Sequence, residues 1–124
     1  MSYLLIAGSR DFDDAETFEK VVREHVTKET VIVEGAAKGA DMMAREYARV
    51  NGLRFVEFKP DWRKYGRAAG PKRNDEMTEY ISDRNGAALY FWDGQSKGTK
   101  QCIESAKKRG IPVTIWNTKT DAYM

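Results

Sequence analysis

Three segments of this sequence join small residues to polar donors in the way an anion requires. Gly8-Ser9-Arg10-Asp11 follows a short apolar run. A glycine there permits a tight turn and close backbone approach, and Ser9 and Arg10 are natural phosphate donors. Glu34-Gly35-Ala36-Ala37-Lys38-Gly39-Ala40-Asp41 and Asp93-Gly94-Gln95-Ser96-Lys97-Gly98-Thr99-Lys100 both contain Gly-x-x-Lys-Gly. Small residues let main-chain N–H groups face an anion, and a following helix adds its favourable dipole. Neither loop is a Walker A motif, because no Lys-Ser/Thr follows at the right spacing, and neither is Gly-x-Gly-x-x-Gly. One such loop is a weak signal, since glycine is common at strand–helix turns. Two in a chain this short point to an anion site.

The segment Asp61-Trp62-Arg63-Lys64-Tyr65-Gly66-Arg67-Ala68-Ala69-Gly70-Pro71-Lys72-Arg73-Asn74 is basic and aromatic. Arg63 and Lys64 read as solvated surface. Trp62 and Tyr65 read as a lid or as a platform for a base, because a large aromatic in a polar loop must cover something. Arg73 and Asn74 are expected in the first turn of a helix that Pro71 helps to start. A cation there opposes the helix dipole, which makes sense if an anionic ligand shares the site. Asp41 and Asp93 are the carboxylates placed to accept ribose hydroxyls or to act as acid or base. His25 reads as a helix-end cation or a partly packed side chain, and Met42 and Met43 as core filler.

The chain has 124 residues, enough for one compact domain. Apolar residues make up 41%, so a core can form, and the formal net charge is only +2. That balance excludes a general nucleic-acid coat or a polybasic membrane anchor; a nucleic-acid role would need a local patch. One cysteine excludes an internal disulfide, and with one histidine it does not make a Cys/His zinc site. No apolar run has the length of a membrane span. Met1 to Gly8 lacks a basic leader and reads as a buried strand. A cytoplasmic protein is expected.

These residues need elements to hold them. Tyr3–Ala7, Thr30–Val33, Leu53–Phe58, Ala87–Trp92 and Ile111–Trp116 read as five buried strands. Between them lie helical stripes, beginning with one capped by Asp13 with Glu16 three residues on. Asp61 to Gly70 reads as a loop. Residues 1–117 form one domain in this reading, and 118–124 form a loose tail. Strands alternating with helices imply a three-layer, Rossmann-like α/β sandwich with a mostly parallel five-stranded sheet. Ligands of such sheets bind outside the carboxyl ends of the strands, at the topological switch point, where the three segments fall.

In order along the chain, Gly8-Ser9-Arg10-Asp11-Phe12, Gly35-Ala36-Ala37-Lys38-Gly39-Ala40-Asp41, Asp61-Trp62, Ala69-Gly70-Pro71-x-Arg73-Asn74-x-x-Met77 and Ser96-x-Gly98-Thr99 resemble the SLOG superfamily. The resemblance is greatest to its small YspA-like branch, common in phages and bacteria, and it spans nearly the whole chain. It implies a Rossmann-like fold that binds nucleotides or nucleotide-derived ligands. Relatives include the LOG phosphoribohydrolases, which cleave a base from a nucleoside monophosphate, sensors of ADP-ribose-type signals, and DprA proteins, which bind single-stranded DNA. LOG enzymes carry Pro-Gly-Gly-x-Gly-Thr-x-x-Glu with a catalytic glutamate. Gly98-Thr99 matches that motif, the leading Pro-Gly-Gly is absent, and Cys102 stands at the position of the glutamate.

The sequence therefore leads to a domain that binds a nucleoside monophosphate or an ADP-ribose-like molecule. Gly8, Ser9 and Arg10 contact it from the first loop. Gly35, Ala36, Lys38 and Gly39 line one phosphate cradle, and Ser96, Gly98 and Thr99 another. Arg73 neutralises charge, Asn74 orients the sugar or phosphate, and Trp62 or Tyr65 covers the base. The alternatives are a nucleotide N-glycosidase, with Asp41 or Asp93 in place of the glutamate, and a single-strand nucleic-acid binder. No cofactor or metal is expected, and the expected assembly is a homo-oligomer.

Overall fold

The computed structural model describes all 124 residues. Strand β1 (Ser2–Gly8) runs through the centre of the sheet, and its side chains alternate between two cores. Leu4 and Ile6 face helices α1 (Ala15–Arg23) and α2 (Ala40–Val50), with Phe18, Val22 and Ala44. Leu5 and Ala7 face helices α4 (Ala69–Asp83) and α5 (Lys97–Lys108), with Met77, Ile81 and Ile103. Both faces are covered, which is why β1 is apolar throughout instead of alternating with polar residues. Each fully buried Leu or Ile contributes about 1.5–3 kcal/mol.

The other strands are β2 (Thr30–Glu34), β3 (Arg54–Glu57), β4 (Ala87–Trp92), β5 (Val113–Asn117) and β6 (Ala122–Tyr123). Their spatial order is β3-β2-β1-β4-β5-β6. All neighbouring pairs are parallel except β5 and β6. The chain winds outward from β1 to β3, then returns through α4 to β4 on the other side. The order reverses between β1 and β4, which makes their carboxyl ends the switch point.

The fold departs from the sequence reading in four places. The sheet has six strands, because the tail is not loose. Asn117 Oδ1 accepts the amides of Lys119 (2.8 Å) and Thr120 (3.1 Å), which turns the chain back. Tyr123 then stands edge-on to Trp116, ring centroids 5.0 Å apart. Second, the α1 cap is Asp14, not Asp13. Its Oδ1 accepts from Thr17 N at 3.1 Å, so Thr17 rather than Glu16 takes the third helical position. Third, residues 61–70 are not a loop. They form α3 (Trp62–Tyr65), capped by Asp61 on Lys64 N at 3.1 Å, and a 3-10 turn (Gly66–Ala68) that runs into α4. Fourth, α4 begins at Ala69, so Arg73 is its fifth residue and lies beyond the first turn.

Candidate functional site

Gly8 ends β1 at the switch point. A Cβ there would strike the Phe91 carbonyl of β4 and come within 2.9 Å of Ala40 Cβ, so only glycine lets β1, β4 and α2 meet so closely. Beside it opens a cleft of about 320 Å³. Its walls include Gly8, Arg10, Asp41, Trp62, Arg73, Asn74, Ser96, Gly98 and Thr99, all predicted from sequence, together with Ala37, Gly70, Pro71 and Cys102. Ser9, Gly35, Ala36, Lys38, Gly39 and Asp93 are not among the lining residues.

Both glycine loops turn amides onto a carboxylate of the chain. In the first, Gly35 N and Ala37 N donate to Asp41 Oδ2, at 3.1 and 3.3 Å, and Ala36 N donates to Glu34 Oε1 at 2.7 Å. Its amides are held by carboxylates of the protein itself. The cradle read from Gly35, Ala36, Lys38 and Gly39 is therefore occupied from within at Gly35 and Ala36, while Lys38 and Gly39 keep open amides but are not among the residues that line the cleft. Lys38 is exposed. The Gly35 carbonyl accepts from Arg73 Nη1, and a Cβ on Gly35 would overlap that guanidinium.

In the second loop, Asp93 Oδ1 accepts the amides of Gln95 (2.9 Å) and Ser96 (2.7 Å). These bonds, led by the one from Ser96, hold Asp93 below the usual carboxylate range. Ser9 Oγ accepts from Asp93 N at 3.2 Å, so Ser9 ties the first loop to the fourth strand. Ser9 and Asp93 shape the loops and do not face the cleft. The loop delivers the chain to α5 with no side-chain cap. The amides of Lys97, Gly98 and Thr99 donate to no protein acceptor. Such a helix end carries partial positive charge and three open donors.

Arg73 donates Nε to Asn74 Oδ1 at 2.8 Å and Nη1 to Gly35 O, and its Nη2 makes no hydrogen bond. No carboxylate lies within ion-pair distance of it. Asp41 is buried in the same cleft, only 3% exposed. Burial pushes its carboxyl up to about 6, against the pull of the Arg73 guanidinium, the two amides and Arg10. Trp62 stands at the mouth, 50% exposed, its ring tip against Gly70. Tyr65 is not in the lining; it lies between the ammonium groups of Lys64 and Lys72, 5.1 and 4.7 Å from its centroid.

Cys102 reaches the cleft wall but is only 1% exposed, and Tyr90 OH is 3.2 Å from its sulfur. Burial pushes its thiol up to about 12, so it is neutral at physiological pH. It cannot perform the proton chemistry of a carboxylate. Cys102→Ala is expected to leave affinity for adenosine monophosphate (AMP) within about twofold and to cost about 1 kcal/mol of stability. Calorimetric titration and urea melts read both, and a tenfold affinity loss would make the thiol a ligand contact.

Two polar residues of this region escaped the sequence reading. Gln101 accepts from Asn74 Nδ2 at 2.8 Å, and Glu34 is fully buried behind the first loop. The signal for Glu34 was present, since a carboxylate closes an otherwise β-branched, buried run.

A parallel sheet between helix layers, with its cleft at the switch point, places this protein in the Rossmann-like class of α/β domains. Residues 3–65 match the model of the YspA, cpYpsA-related SLOG family. A relative, the Gene 61 protein of Mycobacterium phage D29, is 34% identical over 127 residues, covering 96% of this chain and 99% of that protein. The chain belongs to the YspA, cpYpsA-related SLOG family. Among solved structures, DNA processing protein A (DprA) from Streptococcus pneumoniae superposes with a TM-score of 0.74 over 93% of this chain, at 21% identity. The chain spans 50% of the length of that protein, and the likeness establishes the fold. No helix is long and apolar enough to cross a membrane.

Proposed function

We propose that this protein binds a nucleotide or nucleotide-derived ligand, a nucleoside monophosphate or an ADP-ribose-like molecule, in the cleft at the carboxyl edge of the sheet. One observation carries the reading: the uncapped N-terminus of α5 and the free Nη2 of Arg73 belong to one cleft, with nothing of opposite charge paired to the guanidinium. A phosphate satisfies both, accepting from the amides and from the guanidinium. Asn74 and Asp41 line the space beside it for a sugar, and Trp62 at the mouth offers a face to the base.

The test is thermal unfolding with AMP, ADP-ribose, inorganic phosphate and adenosine. A ligand at a hundred times its Kd adds about 2.7 kcal/mol. AMP or ADP-ribose is expected to stabilise, and adenosine far less. Equal effects of AMP and adenosine would remove the phosphate from the argument.

A second reading, a nucleotide N-glycosidase, is favoured by Asp41, whose carboxyl is buried in the cleft and carries a proton over part of the range near neutrality. Chromatography of AMP incubated with the wild type and Asp41→Asn reads base release. The solved neighbour is a DNA processing protein, which supports a third reading, association with single-stranded nucleic acid. Binding of an oligonucleotide that weakens steeply with salt would favour it, since each neutralised phosphate releases counterions.

A further inference from the structure

We infer that Gln101 and Asp75, which are not among the cleft-lining residues, form a positioning relay that fixes the Arg73 guanidinium for its ligand; this rests on the phosphate-binding reading above. The relay runs in one direction. Arg73 Nε donates to Asn74 Oδ1 at 2.8 Å. Asn74 Nδ2 donates to Gln101 Oε1 at 2.8 Å, and at 3.4 Å to the Gly98 carbonyl. Gln101 Nε2 donates to Asp75 Oδ1 at 3.2 Å, and Ser105 Oγ donates to the same oxygen at 2.7 Å.

Its two ends cannot be reversed. A guanidinium has no acceptor, and an ionised carboxylate has no donor. Turning either amide over would set donor against donor or acceptor against acceptor. With Arg73 at one end and Asp75 at the other, both amides have a single consistent orientation, and hydrogen bonds in such a chain polarise one another. The consequence reaches the cleft. Asn74 is buried, and it holds both Arg73 and Gly98, so one side chain sets the guanidinium relative to the open end of α5. Gln101 fixes Asn74, and Asp75 fixes Gln101. Gln101 and Asp75 are positioning residues, acting through Asn74.

The test exchanges donor and acceptor. Gln101→Leu leaves Asn74 without its short acceptor. AMP affinity is expected to fall about tenfold, with adenosine affinity unchanged, because a bond feeding a charged group is lost. Gln101→Glu still accepts from Asn74 but opposes Asp75, and it should lose a similar factor. The double variant Asp75→Asn/Gln101→Glu restores a donor at position 75 and should recover affinity to within about twofold of wild type. A loss of packing alone would not be rescued this way.

A ligand-free readout separates this inference from the proposed function. The Arg73 Nε–H resonance should exchange slowly in the wild type and in the double variant, and rapidly in Gln101→Leu. If the wild type binds AMP no better than adenosine while that resonance behaves as stated, the binding reading fails and the relay stands as an orienting device. If the resonance is the same in Gln101→Leu and wild type, or if the wild type prefers AMP to adenosine and Gln101→Leu keeps its AMP affinity within twofold of wild type, the relay is overturned.

Discussion

Arg73→Ala is expected to weaken AMP binding about a hundredfold, since hydrogen bonds to a charged group contribute about 1.5–3 kcal/mol and a guanidinium can give a phosphate two. The same change should lower stability without ligand by about 1 kcal/mol. The sign of that second effect follows from the start of α4. In the first turn, a cation opposes the helix dipole and its removal would be neutral or stabilising. Arg73 is the fifth residue of α4, past the reach of that effect, and it bonds Asn74 Oδ1 and the Gly35 carbonyl. Its loss leaves two acceptors short of a donor. Arg73→Lys keeps the charge but cannot span both acceptors and a ligand, so it should lose about tenfold. Titration calorimetry with AMP and urea denaturation measure the two effects. Unchanged affinity with a large loss of stability would make Arg73 a strut between α4 and the first loop.

Much of this arrangement is legible in the sequence, and the exceptions have physical causes. Tyr3–Ala7 announces a central strand because it must be apolar on both faces, and Ala87–Trp92 coincides with β4. The tail carries no such pattern, because β6 has two residues and is held by the Asn117 turn and by Tyr123 on Trp116. Helix α3 is four residues long, too short to display a period. The residues that line the cleft were mostly visible, since the switch-point rule gathers strand ends. What the glycine loops do with their amides was not. Both have the same Gly-x-x-Lys-Gly pattern, and in both an aspartate folds onto loop amides, Asp41 onto Gly35 and Ala37 and Asp93 onto Gln95 and Ser96, while the helix that follows keeps its first amides open. Which amides are taken depends on where each aspartate side chain turns, and spacing alone does not encode it.

The largest pH effect on stability is expected from Glu34. Its side chain is fully buried, Oε1 accepts from Ala36 N, and Oε2 has no hydrogen-bond partner. Glu57 lies directly opposite in the β2–β3 register and is itself tied to Arg45 and Lys59 at the surface. Burial first, then Glu57 and Asp41 against the pull of the Ala36 amide, push the Glu34 carboxyl up from 4.5 to about 8, so it is mostly protonated at neutral pH. A carboxyl raised on folding stabilises the fold when both states hold the proton, and that stability is lost as pH rises from 4.5 toward about 8. Asp41 acts with the same sign, but its window ends near about 6. The decline above that pH therefore belongs to Glu34. Wild-type stability is expected to fall by about 2 kcal/mol between pH 6 and 9, allowing for water at the Glu57 end of the pair. Glu34→Gln keeps the shape of the neutral acid and an acceptor for Ala36 N but cannot ionise. It should be flat over that range and more stable than wild type at its upper end. Glu57→Gln removes the facing charge and should leave a smaller decline that ends at lower pH. Urea denaturation of the three proteins across the range decides. Parallel curves for wild type and Glu34→Gln would mean that Glu34 is already ionised near neutrality, with a donor from the protein or solvent at Oε2.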